Sequence, residues 1–337
     1  MRGVLELPSD LLPVQETMVD ALARVEGVFD RAVENDLPPV AKLCAHVERY
    51  RGKMLRPALV TLFGLATREG ADIGHAHDVL GAVCEMVHMA TLVHDDVLDD
   101  ADLRRRGATL NSLRGNEEAV ILGDYLIASA YALCSSLNDP GPSRLIGATS
   151  RVLCSGELLQ LHHRDDLSLD EATYFEILRM KTGVLIAASC QLGVHASGGT
   201  EEQDRAAVTF GERLGIAFQI QDDLLDLGGS EATVGKSVHK DIEKGKLTLP
   251  LIHHLRSAPA SRRARTLKVL RSIAGGPDEA TLADLRAALD ETGSIDAARD
   301  RARHDVEEAT RALKAFPSTP AKRVLELMAR AVVDRAF

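Results

Sequence analysis

Apolar residues recur at intervals of three and four along nearly the whole chain, and that spacing restricts it to helices. Ala and Leu dominate and β-branched runs are short, which reinforces the helical reading. Within residues 80–98, Val83, Met86, Val87, Ala90, Val93 and Val97 mark one stripe. Within 208–227, Val208, Leu214, Phe218, Gln221 and Leu225 mark another. Breaks are sparse. Asn138-Asp-Pro-Gly-Pro142 reads as a loop, Ser197-Gly-Gly199 and Gly228-Gly229 end helices, and Gly275-Gly-Pro277 and Phe316-Pro-Ser-Thr-Pro320 interrupt the C-terminal third. The 337 residues would suggest two domains at about 150 residues each. No linker or internal repeat divides them, so the expectation is one all-α domain over residues 1–337, a single large helical bundle.

Composition narrows the function. Fifty acidic against 40 basic residues give a formal charge of -10, and aromatics are 3 % with no Trp. A chain without a basic face or a stacking platform is not expected to bind nucleic acid. The cysteines Cys44, Cys84, Cys134, Cys154 and Cys190 form no CxxC pair, so reduced core thiols in a cytoplasmic protein are expected instead of disulfides or zinc. The first 16 residues, with Glu6 and Asp10, do not read as a signal peptide. The longest uncharged stretch, Thr182 to Thr200, is interrupted by Ser189, Gln191, His195 and Ser197. It reads as a buried helix, and no transmembrane segment is expected.

The carboxylates are concentrated. Two segments contain DDxxD, with Asp95, Asp96 and Asp99 in one and Asp222, Asp223 and Asp226 in the other. Residues four apart share a helix face, so Asp95 points with Asp99 and Asp222 with Asp226. Each set lies at the C-terminal end of an apolar stripe, where both the helix dipole and mutual repulsion oppose negative charge. Oxygen-only ligands that need a compensating cation point to Mg²⁺, which shares its coordination shell with substrate phosphates. Lys53, Arg56, Arg104, Arg105, Lys181, Lys236 and Lys246 supply cations suited to diphosphates. No Walker loop and no Gly-rich dinucleotide loop is present.

These residues resemble the trans-isoprenyl diphosphate synthases, or polyprenyl synthetases. The similarity runs in order along the chain through GKMLRP at 52–57, HDDVLDDADLRR at 94–105, GDYL at 123–126, KTG at 181–183, FQIQDDLLD at 218–226 and GKSVHKDIEKGKLTLP at 235–250. TGSIDAARDRA at 292–302 extends the likeness into the tail. The resemblance implies an all-α bundle around a central cavity and a homodimer. It also implies Mg²⁺-dependent addition of isopentenyl diphosphate to an allylic diphosphate, with about three ions per site.

Carried over by position, Asp95, Asp99 and Asp222 would bind metal, with Asp96, Asp223 and Asp226 in support. Arg104, Lys181, Lys236 and Lys246 would hold the allylic diphosphate. Lys53, Arg56, His88 and Arg105 would hold isopentenyl diphosphate, and Thr182 and Gln219 would flank the reacting carbons. One departure is Arg106, which stands where the family usually has glycine; the pair is Arg104 with Arg105 or, in the alternative register, Arg105 with Arg106, and the downstream Thr109 and Asn111 favour the first.

The resemblance also bears on product length. Ala90 and Thr91, five and four residues before Asp95, lie about one turn below it. Short-chain members of the family block that level with aromatics. Small side chains here therefore imply a product longer than farnesyl and beyond geranylgeranyl, with Tyr131 as a floor further down. A geranylgeranyl or farnesyl diphosphate synthase is the nearest alternative. A terpene cyclase would carry a mixed Asn/Ser/Glu second motif, and a non-catalytic subunit would lack acids in one or both motifs; DDLLD is complete here.

Overall fold

The computed structural model describes residues 8–47, 52–104, 107–228, 240–243, 245–272 and 279–334. They are helical almost throughout. In chain order the helices are α1 (Leu12–Val33), α2 (Pro38–Val47), α3 (Leu55–Ala66), α4 (His75–Leu98), α5 (Leu110–Arg114), α6 (Asn116–Ser135), α7 (Pro140–His162), α8 (Glu171–Leu178), α9 (Val184–Ala196) and α10 (Glu201–Gly228). Next come α11 (Lys240–Glu243), α12 (Leu249–Ser257), α13 (Ala260–Ser272), α14 (Glu279–Glu291), α15 (Ser294–Ala312) and α16 (Pro320–Val333). The one departure from an all-α chain among the described residues is a two-residue antiparallel pairing of Leu103–Arg104 with Gly107–Ala108, just after the first aspartate motif.

Packing divides the chain into two compact units, each assembled from separate stretches. The first comprises Met1–Arg151, Leu185–Gly211 and Ala312–Met328. Its core is built on α1, α3, α4 and α6: Met18, Val25, Phe29, Leu59, Leu62, Leu80, Met86, Met89, Leu122 and Leu126 are all fully buried. Phe29, Phe63, Phe210 and Phe316 are buried there. Phe63 meets Phe210 and Phe316 edge-on, with ring centroids 5.1 and 5.4 Å apart, a geometry favoured by the ring quadrupole.

The second unit comprises Val152–Val184, Glu212–Arg311 and Ala329–Phe337. Leu214, Ala217, Ile220, Leu251, Leu289, Ala298 and Ala302 form its core. Asp305 is fully buried and accepts from Arg213 at 2.8 Å and Arg301 at 2.7 Å. The Arg301 guanidinium lies 3.7 Å from the centre of the Phe175 ring. A buried carboxylate is tolerated because two guanidiniums replace its lost hydration.

All the α4 stripe residues except Val97 are buried, but so is every residue from His77 to Val87, so this part of α4 is enclosed on all sides and not along one stripe. On α10 the buried row is instead Ala207, Phe210, Leu214, Ala217, Gln221 and Leu224, while Val208, Phe218 and Leu225 are half-buried. Pro140-Gly-Pro142 is not a loop but the first turn of α7. Proline fits there because the first helical N–H groups have no intrahelical partner, and the Asp139 carboxylate accepts the Gly141 N–H at 2.8 Å. Gly229 and Gly275-Gly-Pro277 lie outside the described residues.

Four of the five cysteines are buried and Cys154 is exposed; none is in a disulfide. By length and composition, three helical stretches are apolar enough to cross a membrane: His75–Leu98, Asn116–Ser135 and Glu171–Ala196. This is more than the sequence reading allows, because the longest uncharged stretch alone does not reveal them. Their apolar windows are 78 %, 33 % and 67 % buried inside the protein, so packing accounts for much of the first and third and for less of the second.

Candidate active site

The first aspartate set closes α4. Asp95 and Asp96 occupy its last turn and Asp99 is the C-cap, its N–H bonding to the Asp95 carbonyl at 2.8 Å. Asp100 then takes a left-handed φ of 46° and stops the helix. Asp95 and Asp99 are half-buried, as their spacing predicts, whereas Asp96 is turned fully inward. Its Oδ1 takes both Nε (2.8 Å) and Nη2 (2.7 Å) of Arg104. The Asp96 carbonyl also accepts the Ala101 N–H at 2.9 Å and the Asn111 amide at 3.2 Å. The middle aspartate therefore ties the helix end to the hairpin strand that carries Arg104.

The half-buried face of α4 runs from Asp99 and Asp95 through Leu92 and Thr91 to His88. Ala90 is fully buried. At about 100° per residue, Thr91 and His88 stay within about 40° of Asp95, whereas Ala90 lies about 140° away. Of the two product-length positions, Thr91 shares the aspartate face. Tyr131 is half-buried on α6, where a Cβ on Gly147 would lie 3.6 Å from its hydroxyl.

The glycine of GDYL has a steric role. A Cβ on Gly123 would come within 2.1 Å of His94 Nε2, so a larger residue there would push the His94 ring from its present position beside the first aspartates. His94 Nε2 bonds to the Val120 carbonyl at 3.1 Å.

At the GKMLRP segment, Met54 has φ 52° and caps α3, so Lys53 and Arg56 straddle a left-handed residue. Lys53 is exposed, and the Arg56 Nε is buried without a protein hydrogen bond. Burial lowers the guanidinium from its ordinary value, and Glu85 opposes that shift. A buried, unsatisfied N–H is costly, and a diphosphate oxygen would satisfy it.

In the second unit, KTG lies in a π-helical turn, Arg179–Gly183, closed by the Val184 N–H bonding to the Arg179 carbonyl. Such turns recur at functional sites. Lys181 forms an ion pair with Glu157 and donates to Gln160 Oε1 at 3.1 Å. The Thr182 hydroxyl lies 3.4 Å from Gln219 Oε1.

The second aspartate set occupies the last two turns of α10. Asp222 and Asp226 are half-buried, and Asp223 is again the inward member. It accepts the Tyr174 hydroxyl at 2.6 Å and the Gln219 amide at 2.9 Å. Burial, and next the charge of Asp241, push the Asp223 carboxyl up to about 8. Asp226 accepts the Asp241 N–H at 3.2 Å, and the Asp241 carbonyl accepts the N–H of half-buried Lys246 at 2.8 Å. Arg105 and Lys236 lie outside the described residues.

The sequence reading misses Glu157, Gln160 and Tyr174. Glu157 and Gln160, three apart on one helix face, are a signal legible in sequence. Nothing local marks Tyr174.

Among the described residues, no three His, Cys or carboxylate side chains converge into a ready-made cation cage. The all-oxygen donor set of the half-buried outer aspartates suits a hard cation.

An all-helical chain whose two DDxxD sets end apolar helices, with Lys and Arg on neighbouring turns, has the makings of a prenyltransferase. The polyprenyl synthetase family pattern matches residues 38–291, and the chain belongs to that family. It is 31 % identical over 326 residues to octaprenyl diphosphate synthase from Escherichia coli K12, a match covering 97 % of this chain and 99 % of that protein. The crystal structure of a decaprenyl diphosphate synthase from Rhodobacter capsulatus superposes with a TM-score of 0.88 at 32 % identity, covering 96 % of this chain and 98 % of that one. A polyprenyl synthase from Caulobacter crescentus CB15, complexed with calcium and isoprenyl diphosphate, gives a TM-score of 0.85 at 33 % identity, covering 96 % and 97 %.

Proposed function

We propose that this prenyltransferase adds isopentenyl diphosphate head-to-tail to an allylic diphosphate and builds a trans-polyprenyl diphosphate longer than geranylgeranyl. The observation that carries the reading is the repeated construction of the two helix ends. In each, the outer aspartates keep accessible surface and the middle one is locked inward. Asp95, Asp99 and Asp222 are the Mg²⁺ ligands, for about three ions per site. When bound, Mg²⁺ supplies charge neutralisation for a leaving diphosphate.

The protein's own groups do the rest. Arg104, Lys181, Lys236 and Lys246 bind the allylic diphosphate. Lys53, Arg56, His88 and Arg105 bind isopentenyl diphosphate. The allylic C–O bond breaks as its diphosphate leaves, and the double bond of isopentenyl diphosphate attacks the allylic carbon. A proton is then lost to the released diphosphate. The oxygens of Thr182 and Gln219 face the developing positive charge. The test is purified protein with Mg²⁺, labelled isopentenyl diphosphate and a panel of allylic primers, with products separated by chain length. Elongation that stops at or below geranylgeranyl overturns the length assignment, and no incorporation with any primer overturns the reaction.

Product length gives a sharper expectation. Thr91→Tyr places a ring on the aspartate face of α4 and is expected to shorten the dominant product by several isoprene units. Ala90→Tyr shortens it too, with a stability loss of about 1–3 kcal/mol from overpacking a filled position. Tyr131→Ala lengthens it. An unchanged chromatogram for all three would refute a product channel along α4.

The chain is further proposed to act as a homodimer in a reducing, cytoplasmic setting. The support is α6, where Val120 and Ile121 are 41 % and 66 % exposed, flanked by Leu113 at 51 %. Exposed apolar clusters of this kind mark association surfaces. Sedimentation is expected to show a dimer that Ile121→Asp converts to monomer; a monomeric wild type removes the proposal.

A further inference from the structure

Four side chains of the second unit form one chain of hydrogen bonds. Tyr174, 4 % exposed on α8, donates to Asp223 Oδ2 at 2.6 Å. Asp223 Oδ1 accepts Gln219 Nε2 at 2.9 Å, and Gln219 Oε1 faces the Thr182 hydroxyl at 3.4 Å. The two ends of a glutamine amide have nearly the same shape, so its orientation is set only by its partners. The Tyr174 contact keeps the shared hydrogen on the Oδ2 side of Asp223. In this geometry Oδ1 is the acceptor of the Gln219 amide N–H. An acceptor at that point draws the NH₂ end of Gln219 and turns the carbonyl end toward Thr182.

We propose that Tyr174 is a positioning residue for the condensation. Through Asp223 it fixes the Gln219 amide so that the carbonyl oxygen, and not the NH₂ group, faces the allylic cation. The inference rests on the proposed placement of Thr182 and Gln219 beside the reacting carbons, and adds a residue that touches neither substrate. The orientation matters because a reversed amide would present its positive end to a developing positive charge. Preorganised dipoles at such a point are a large component of catalysis.

The test is a double-mutant cycle read in single turnovers, with Tyr174→Phe, Gln219→Leu and the double variant, each checked for wild-type helicity and melting. Tyr174→Phe retains the ring and removes only the hydroxyl. It is expected to slow the condensation step about tenfold with KM for both diphosphates unchanged. In the Gln219→Leu background the same change is expected to have no further effect, because the group it orients is gone. Multiplicative slowing in the double variant, or a wild-type rate for Tyr174→Phe, overturns the positioning role and leaves the site reading intact. A wild-type rate for Gln219→Leu instead overturns the placement of Gln219 itself. Should Tyr174→Phe melt early, Asp223→Asn supplies the second arm: an amide there lets Gln219 reverse, and the same rate loss without a KM change is expected. A KM change alone counts against the proposal.

Discussion

Asp222→Ala is expected to lower kcat about 10³-fold while helicity and melting temperature remain near wild type. Asp222 is half-buried near the end of α10, one of the two outer acids of its set. Removing a carboxylate from the C-terminal end of a helix relieves electrostatic repulsion, which offsets the loss of the contacts Asp222 makes. The loss falls on the reaction, where about 4 kcal/mol of charge stabilisation corresponds to three decades. Asp95→Ala is expected to behave alike. Asp96→Ala should differ in kind, since it strips Arg104 of the carboxylate that holds it. It is expected to lower stability and activity together. Single-turnover kinetics paired with calorimetry separate the two patterns. Activity close to wild type in Asp95→Ala or Asp222→Ala would sink the metal-ligand assignment.

Gly211→Val is expected to prevent stable folding. A Cβ at position 211 would sit 2.3 Å from the Ala187 Cα and 2.5 Å from its N, both backbone atoms that cannot swing away. The helix carrying Ala187 and the helix carrying Gly211 touch there backbone to backbone. Nearby Ala187, Phe210 and Phe63 are buried, so parting the helices would open the core of the first unit. Overpacking ordinarily costs about 1–3 kcal/mol. A clash with main chain on both sides belongs at or above the top of that range, a large share of the about 5–15 kcal/mol that holds a protein folded. Soluble expression with a melting temperature within about 3 °C of wild type would show that the two helices can separate cheaply.

How much of the structure is legible in the sequence depends on whether the deciding contact is local. Asp95 with Asp99 and Asp222 with Asp226 follow from helix geometry alone, whereas the all-round burial of α4 from His77 to Val87 goes beyond the single stripe its periodicity draws. The inward turn of Asp96 and Asp223 is not legible. Neighbouring aspartates look equivalent in sequence, and they are distinguished by Arg104 in one case and by Tyr174, 49 residues away, in the other. Lys181 reads as a free diphosphate ligand, yet its carboxylate partner Glu157 comes from α7. The first turn of α7 reads as a loop because proline and glycine signal a loop and a helix start with the same letters. The α10 stripe shifts between sequence and structure because half-buried Val208, Phe218 and Leu225 are as apolar as the buried row beside them.

The π turn at Arg179–Gly183 sets the angular phase of the helix beyond it. One extra residue in a turn shifts every later side chain by about 100° relative to an uninterrupted helix. Lys181, engaged with Glu157 and Gln160, and Thr182, facing Gln219, owe their bearings to that insertion. Shortening the segment by one residue would keep Lys181 and Thr182 and still aim them a quarter-turn away from Glu157, Gln160 and Gln219. Substitution at single positions leaves that setting untouched, whereas insertion or deletion resets it.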